Sequence, residues 1–299
     1  MPKWHKTILR KGKLTHKAMG NLLTLHKDMH NHNTNRRPLN ISKQPLSTNN
    51  KYLLSTHLKL LNNHSNLPHN KLLALLQHKV LQLLNLKMIY LINDETPFPS
   101  PDTSSEEGIV AFGGSLSPTR LIEAYSQGIF PWYNEGEPVL WWCPDPRFVL
   151  FPEKLHIGKN MRKLLRKAPY RVTYNRCFTE VMQQCATVPR KDQHGTWIHP
   201  ELIEAYTTLH QQGIAHSVEV WQDETLVGGL YGLQIGKIFC GESMFSKQPN
   251  ASQYGFITFL QAHPHIALVD CQIHSEYLES LGAEEIPRAT FLKILTINR

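Results

Sequence analysis

The sequence contains no CxxC pair. Its five cysteines, Cys143, Cys177, Cys185, Cys240 and Cys271, are scattered and odd in number. That argues against a disulfide framework and favours a reducing cytoplasm. No apolar run approaches the ~20 residues that span a bilayer, and no signal-peptide pattern opens the chain, so the chain reads as soluble with no membrane role. Acidic residues are almost missing from the first 87 positions, which hold only Asp28 against 15 Lys or Arg, and glycine there is limited to Gly12 and Gly20.

This shortage of acids explains the charge of the whole. Residues 1–87 carry +14, residues 88–299 carry 17 basic and 23 acidic groups for −6, and the two sum to the net +8. The pI of about 9.2 is therefore contributed by the leading segment and not by the body. Residues 1–87 are rich in Leu, Asn, His, Lys, Thr and Gln, with one Leu-dense stretch at 71–86 that could form a short, poorly faced helix. A basic targeting or RNA-binding arm, an organelle transit peptide, and upstream sequence joined to a gene beginning at Met88 all fit this composition. The last is the expectation here, with residues 1–87 a low-complexity extension outside the fold.

The body divides into an expected small domain over 88–190 and a second over 191–299. In the first, Ser117-Pro118 sets an N-cap followed by Pro at the first helical position, Leu121, Ile122, Ala124 and Tyr125 form an apolar stripe, and Gly128 stops a helix over about 118–127. Dense aromatics follow in FPWY and WWCPDPR, either as core or as a ligand pocket. Residues 159–171 read as a basic amphipathic helix carrying Lys159, Arg162, Lys163, Arg166, Lys167 and Arg171, with no acid among them. In an acidic body this favours contact with a phosphate backbone over a merely solvated face.

In the second domain the spacing predicts a helix over 200–210 closed by Gly213, and strands at 215–221 and 225–233 with a third beginning at 237–240. Beyond these it predicts a helix at 250–260, a strand at 265–274 and a short helix at 275–281. This is an α+β pattern. Alternation in the last strand puts Leu268, Asp270, Gln272 and His274 on one face, so three polar groups converge there.

The strings FPWYNEGEPVLWWCPDPR, GTWIHPELIEAY, AHSVEVWQDETLVGGLYG, GESMFS followed by NAS, and VDCQ followed by SLGAEEIPR resemble bacterial leucyl/phenylalanyl-tRNA–protein transferases across 88–299. The resemblance implies a small N-terminal α/β domain followed by a GNAT-like (acetyltransferase-like) C-terminal domain that uses no coenzyme A. The sequence agrees, because GESMFSKQPNASQYG stands where a glycine-rich pyrophosphate loop would open a helix. The implied reaction moves Leu, Phe or Met from leucyl-, phenylalanyl- or methionyl-tRNA to proteins with N-terminal Arg or Lys, marking them for N-degron proteolysis. The donor is an activated ester and an α-amino group is substantially neutral at cellular pH, so positioning and oxyanion stabilisation should dominate, with no cofactor and no metal.

By the same resemblance Asp270 and Gln272 orient or activate the amine, with Glu242 as third candidate. Glu242 and Asp270 together are expected to select the basic acceptor residue. Trp132 and Trp197 match aromatics that contact the terminal adenosine, joined by Tyr206. Phe239, Met244, Phe245, Ser246 and Val269 are the candidate pocket for the transferred side chain. The basic helix would then meet acceptor-stem phosphates. Gln253 and Ser275 depart from the family's usual Lys and Asn and leave their local roles open. Two rivals make opposed predictions: a coenzyme A-dependent N-acetyltransferase would bind acetyl-coenzyme A, and an RNA-binding protein would need residues 1–87.

Overall fold

The structure is a computed structural model that describes residues 89–187 and 196–299. The expectations for residues 1–87, including the Leu-rich helix, lie outside the described residues.

The predicted first helix is α1 (Pro118–Ser126), where the Ser117 hydroxyl accepts from the Arg120 N–H as the sequence implies. Around it runs a four-stranded sheet of β1 (Tyr90–Ile92), β2 (Ile109–Gly113), β3 (Phe130–Pro131) and β4 (Leu140–Trp142), ordered β1-β2-β4-β3. A seven-stranded sheet forms the rest of the body. Its strands are β5 (Arg147–Leu150), β6 (Arg171–Tyr174), β7 (Ala215–Gln222), β8 (Thr225–Ile235), β9 (Ile238–Ser246), β10 (Leu268–Gln272) and β11 (Glu284–Ile286), in the order β11-β5-β10-β9-β8-β7-β6. All neighbours are antiparallel except β9 and β10, which run parallel through Ile238–Cys240 and Leu268–Asp270.

The expected α+β class is what the chain has, but the sheets do not divide where the sequence suggested. β5 and β6 lie in the segment 88–190 expected to be a separate domain, yet they pair with β10, β11 and β7 of the larger sheet. The aromatic-rich composition of 88–150 hid this, because β5 (RFVL) is one short strand that gains its neighbours only from residues more than a hundred positions away.

Helices cover both faces of the large sheet. On one face α1, α3 (Phe178–Thr187), α4 (Pro200–Gln211) and α7 (Arg288–Asn298) pack with the small sheet against Val149, Tyr231, Ile238, Cys240 and Leu268. On the other, α5 (Ala251–Ala262) packs on Phe148, Leu230, Phe239 and Val269. Adjacent strand residues thus enter different cores, as period-two geometry requires. The basic helix is α2 (Lys159–Lys167), held to α5 by the buried Met161, and it ends at Ala168 in a left-handed conformation. Arg171 is therefore not on it. Arg171 begins β6, where its guanidinium stacks 5.3 Å from the Trp221 ring centroid and pairs with Glu224 at 3.6 Å. The remaining helix, α6 (Glu276–Glu279), is a single turn.

Three strand boundaries also move. GESMFS, placed after the third strand by the sequence, is its second half, since β9 continues to Ser246. The predicted strand 265–274 shortens to β10, and β11 with α7 was not anticipated at all.

Candidate active site

The parallel pair β9/β10 parts after Cys240 and Asp270, and each strand is bulged just beyond that point. On β9 the register passes from Tyr231↔Ser243 to Gly232↔Gly241, leaving Glu242 unmatched. On β10 it passes from Asp270↔Val149 to Gln272↔Phe148, leaving Cys271 unmatched, and Gln272 adopts φ 60°. Bulges re-aim side chains next to active sites, and these two turn Glu242 and Gln272 toward each other. Glycine is required opposite the first: a Cβ on Gly232 would stand 2.3 Å from the Cys240 carbonyl oxygen.

The outcome is a continuous polar chain through an apolar core. The Gln272 amide donates to Glu242 Oε1 at 2.8 Å. The Tyr125 hydroxyl donates to the same oxygen at 2.7 Å and shares a 2.5 Å bond with the Tyr206 hydroxyl. On the far side the Gln272 backbone N–H donates to Asp270 Oδ1 at 3.0 Å. Asp270 receives Arg147 in a two-pronged grip, Nε to Oδ1 at 2.7 Å and Nη2 to Oδ2 at 2.6 Å. Arg147 is 0% exposed and Asp270 1%, and the guanidinium sits between the rings of Phe130 and Phe291, 4.8 and 4.5 Å from their centroids.

Burial pushes the Glu242 carboxyl up to about 8. The bond from Tyr125 opposes this, the Asp270 charge adds to it, and Gln272 and Arg147 oppose it. A carboxyl that titrates near neutrality can hold a proton briefly and release it, which is what a proton shuttle needs. The same shift links stability to pH. The native state binds this proton more tightly than the unfolded chain, whose value is near 4.5. The contribution is therefore complete below about 4.5 and is lost as pH rises through about 8. Thermal melts between pH 5 and 8.5 should show wild type losing stability relative to Glu242→Gln across that window. Parallel curves would remove the assigned shift.

The structure links Asp270, Gln272 and Glu242 by hydrogen bonds, and it changes what Asp270 can do. Both its oxygens are committed to Arg147, so it is not a free carboxylate and does not join Glu242 in selecting a basic acceptor. His274 does not share the face either: it bonds Glu279 at 3.0 Å and packs on Phe148, because the bulge at Cys271 ends the alternation.

Tyr206 is 0% exposed and bonded to Tyr125, so it belongs to the polar chain and not to a stacking surface. Trp132 is half-buried beside Trp142, ring centroids 5.5 Å apart, and Trp197 is half-buried against the same core. The five residues expected to form one side-chain pocket separate. Phe239, Val269 and Met244 lie on the α5 side with Phe256 and Phe259. Phe245 packs into the opposite core, and Ser246 is exposed and bonded to Ser252 at 2.9 Å. Lys159, Arg162, Lys163, Arg166 and Lys167 are all exposed on α2.

Two members of the polar chain escaped sequence reasoning. Tyr125 read as one position in an apolar stripe, although a buried tyrosine hydroxyl needs a partner. Arg147 closes the string WWCPDPR and was given no role. Among the described residues no group of three or more His, Cys, Asp or Glu could hold a metal ion.

Residues 149–296 match the family model described as leucyl/phenylalanyl-tRNA protein transferase, and residues 114–145 match the one for the N-terminal domain of the same family. A leucyl/phenylalanyl-tRNA–protein transferase of Flavobacterium johnsoniae is 56% identical over 211 residues, covering 70% of this chain and 99% of the relative. That of Christiangramia forsetii is 54% identical, covering 69% and 100%, and that of Nitrosomonas eutropha 53%, covering 70% and 90%. Among solved structures, a GCN5-related N-acetyltransferase from Kribbella flavida overlaps at a TM-score of 0.29 with 10% identity, covering 55% of this chain and 58% of that one. L-PGS from Bacillus licheniformis overlaps at 0.32 with 11% identity, covering 56% and 53%.

Proposed function

The chain belongs to the leucyl/phenylalanyl-tRNA–protein transferase family, an aminoacyltransferase moving an amino acid from tRNA to protein, and from that premise we propose that Glu242 is its proton-handling centre. One observation carries the reading. Tyr125 and Gln272 both donate to Glu242 Oε1, so Oε2 is the oxygen left for an incoming amine among the described residues.

The donor is leucyl-, phenylalanyl- or methionyl-tRNA, and the acceptor is a protein with N-terminal Arg or Lys, which the added residue commits to degradation in the cytoplasm. The amine nitrogen attacks the ester carbonyl carbon, forming the C–N bond. Its surplus proton passes to Glu242 Oε2 and from there to the ribose oxygen as the C–O bond breaks, so free tRNA leaves and the carboxyl is reset. Gln272 and Tyr125 fix the carboxyl, and Tyr206 fixes Tyr125. Asp270 acts one step away: clamped by Arg147, it holds the Gln272 backbone in its left-handed turn. Trp132 and Trp197 stack on the terminal adenosine, and Phe239, Met244 and Val269 line the side-chain pocket.

Incubating the protein with leucyl-tRNA and a peptide beginning with Arg should add one leucine to that peptide, read by mass spectrometry. No mass gain, or transfer from acetyl-coenzyme A instead, would overturn the proposal. A chain from Met88 should be as active as the whole, since 211 aligned residues suffice for 99% of a relative's length.

The five exposed cations of α2 supply the acceptor-stem contact. Each neutralised phosphate contributes nearly one power of salt dependence, so with five contacts the donor KM should rise about five-hundredfold from 50 to 200 mM salt. Replacing Arg162, Lys163 and Arg166 with alanine should flatten that slope. A KM indifferent to salt would remove α2 from the interface.

A further inference from the structure

Close along the chain to the half-buried Trp132 and Trp197 are two buried polar groups with no hydrogen-bond partner among the described residues, His199 Nε2 and the Tyr133 hydroxyl. His199 is 5% exposed and Tyr133 7%, and their rings meet edge to face with centroids 4.8 Å apart. A buried polar atom is costly to leave unpaired, so two of them side by side point to a ligand's polar edge.

The neighbourhood narrows its chemistry. Glu135 and Glu201 both act electrostatically on His199, which disfavours a phosphate. Burial lowers the His199 imidazole against the pull of these two carboxylates and raises the Tyr133 hydroxyl. Both groups therefore stay neutral, each able to donate or accept. Their position also fits. His199 caps α4 and Tyr206 lies seven residues along it, about 10 Å at 1.5 Å per residue and within about 20° of the same face. Tyr206 reaches Glu242 through Tyr125. The pair and Glu242 are thus connected through α4 and the two tyrosines.

We propose that Tyr133 and His199 read the hydrogen-bonding edge of the terminal purine base of the donor tRNA, its 6-amino donor and adjacent ring-nitrogen acceptor, while Trp132 and Trp197 hold its faces. This rests on the stacking reading above and adds base specificity to it. Stacking alone accepts any base, whereas a paired donor and acceptor distinguish adenine.

The test uses the full chain and tRNA charged with phenylalanine whose 3′-terminal nucleoside is adenosine or purine riboside, which lacks the 6-amino group. Wild type should lose about ten- to a hundredfold in kcat/KM on purine riboside, mainly through KM. Tyr133→Phe, which removes the acceptor for the 6-amino group, should lose a similar factor on adenosine and no longer sense that group, whereas His199→Leu, which removes the donor to the ring nitrogen, should slow both donors by the same factor. Tyr133→Phe removes one oxygen only and carries the test should His199→Leu fold poorly. If Tyr133→Phe slows both donors equally, or wild type does not distinguish them, the pair is packing and the inference fails. Trp132→Ala separates the two levels: an unchanged donor KM there means that the stacking reading has failed, not the base reading alone.

Discussion

Glu242→Gln should lower the rate of aminoacyl transfer by about 10² to 10⁴, the range over which a positioned acid–base group contributes, while leaving the donor KM within about twofold. Glutamine keeps the shape and still accepts from Tyr125 and Gln272 at Oε1, but an amide nitrogen replaces Oε2, so the amine finds a donor where it needs an acceptor. The peptide amine is already half neutral near pH 8; what the carboxylate supplies is an exit for the surplus proton and its return to the leaving oxygen. Tyr125→Phe should cost less, about tenfold, because Gln272 still holds the same oxygen. Single-turnover transfer to an Arg-initiated peptide is the measurement, and a Glu242→Gln rate above a tenth of wild type would move the proton-handling role elsewhere.

The largest stability effect should come from Arg147. Arg147→Met leaves Asp270 1% exposed and without its counter-ion, and breaking such a pair costs about 3–5 kcal/mol. For a body of this size that corresponds to a fall in Tm of about 6–20 °C. The double variant Arg147→Met/Asp270→Leu removes both charges and should recover much of that loss, since apolar replacements of buried pairs are often neutral. It should not recover transfer, because the Gln272 N–H loses its acceptor at Asp270 Oδ1. Calorimetry with activity on the same three proteins separates the two roles. A Tm change under about 3 °C for Arg147→Met, or full activity in the double variant, would contradict the assignment.

Elements with local signals were legible in the chain. Ser117-Pro118 announced α1, Gly213 closed α4, and the alternation of AHSVEVWQ and TLVGGLYG marked β7 and β8, because caps, turns and period-two patterns act between neighbours. Asp270, Gln272 and Glu242 were found as a set, through motif resemblance. Where the reading went astray, the deciding interaction was remote. Arg171 left the basic helix because Ala168 turns left-handed and β6 finds a partner in β7. The side-chain pocket divided because Phe245 and Phe239 face opposite cores.

The amino-acid sequence by itself determined the α+β class, the acidic body behind its basic leading segment, the family and the strand that carries Asp270 and Gln272. Tertiary structure alone decided what those groups can do. A bulge rotates a side chain by an amount no periodicity encodes. Arg147 reaches Asp270 across 123 residues and Tyr125 reaches Glu242 across 117. One of two similar carboxylates is thereby neutralised as a clamp and the other left to titrate near neutrality, a distinction set by which charges and hydroxyls surround each one in space.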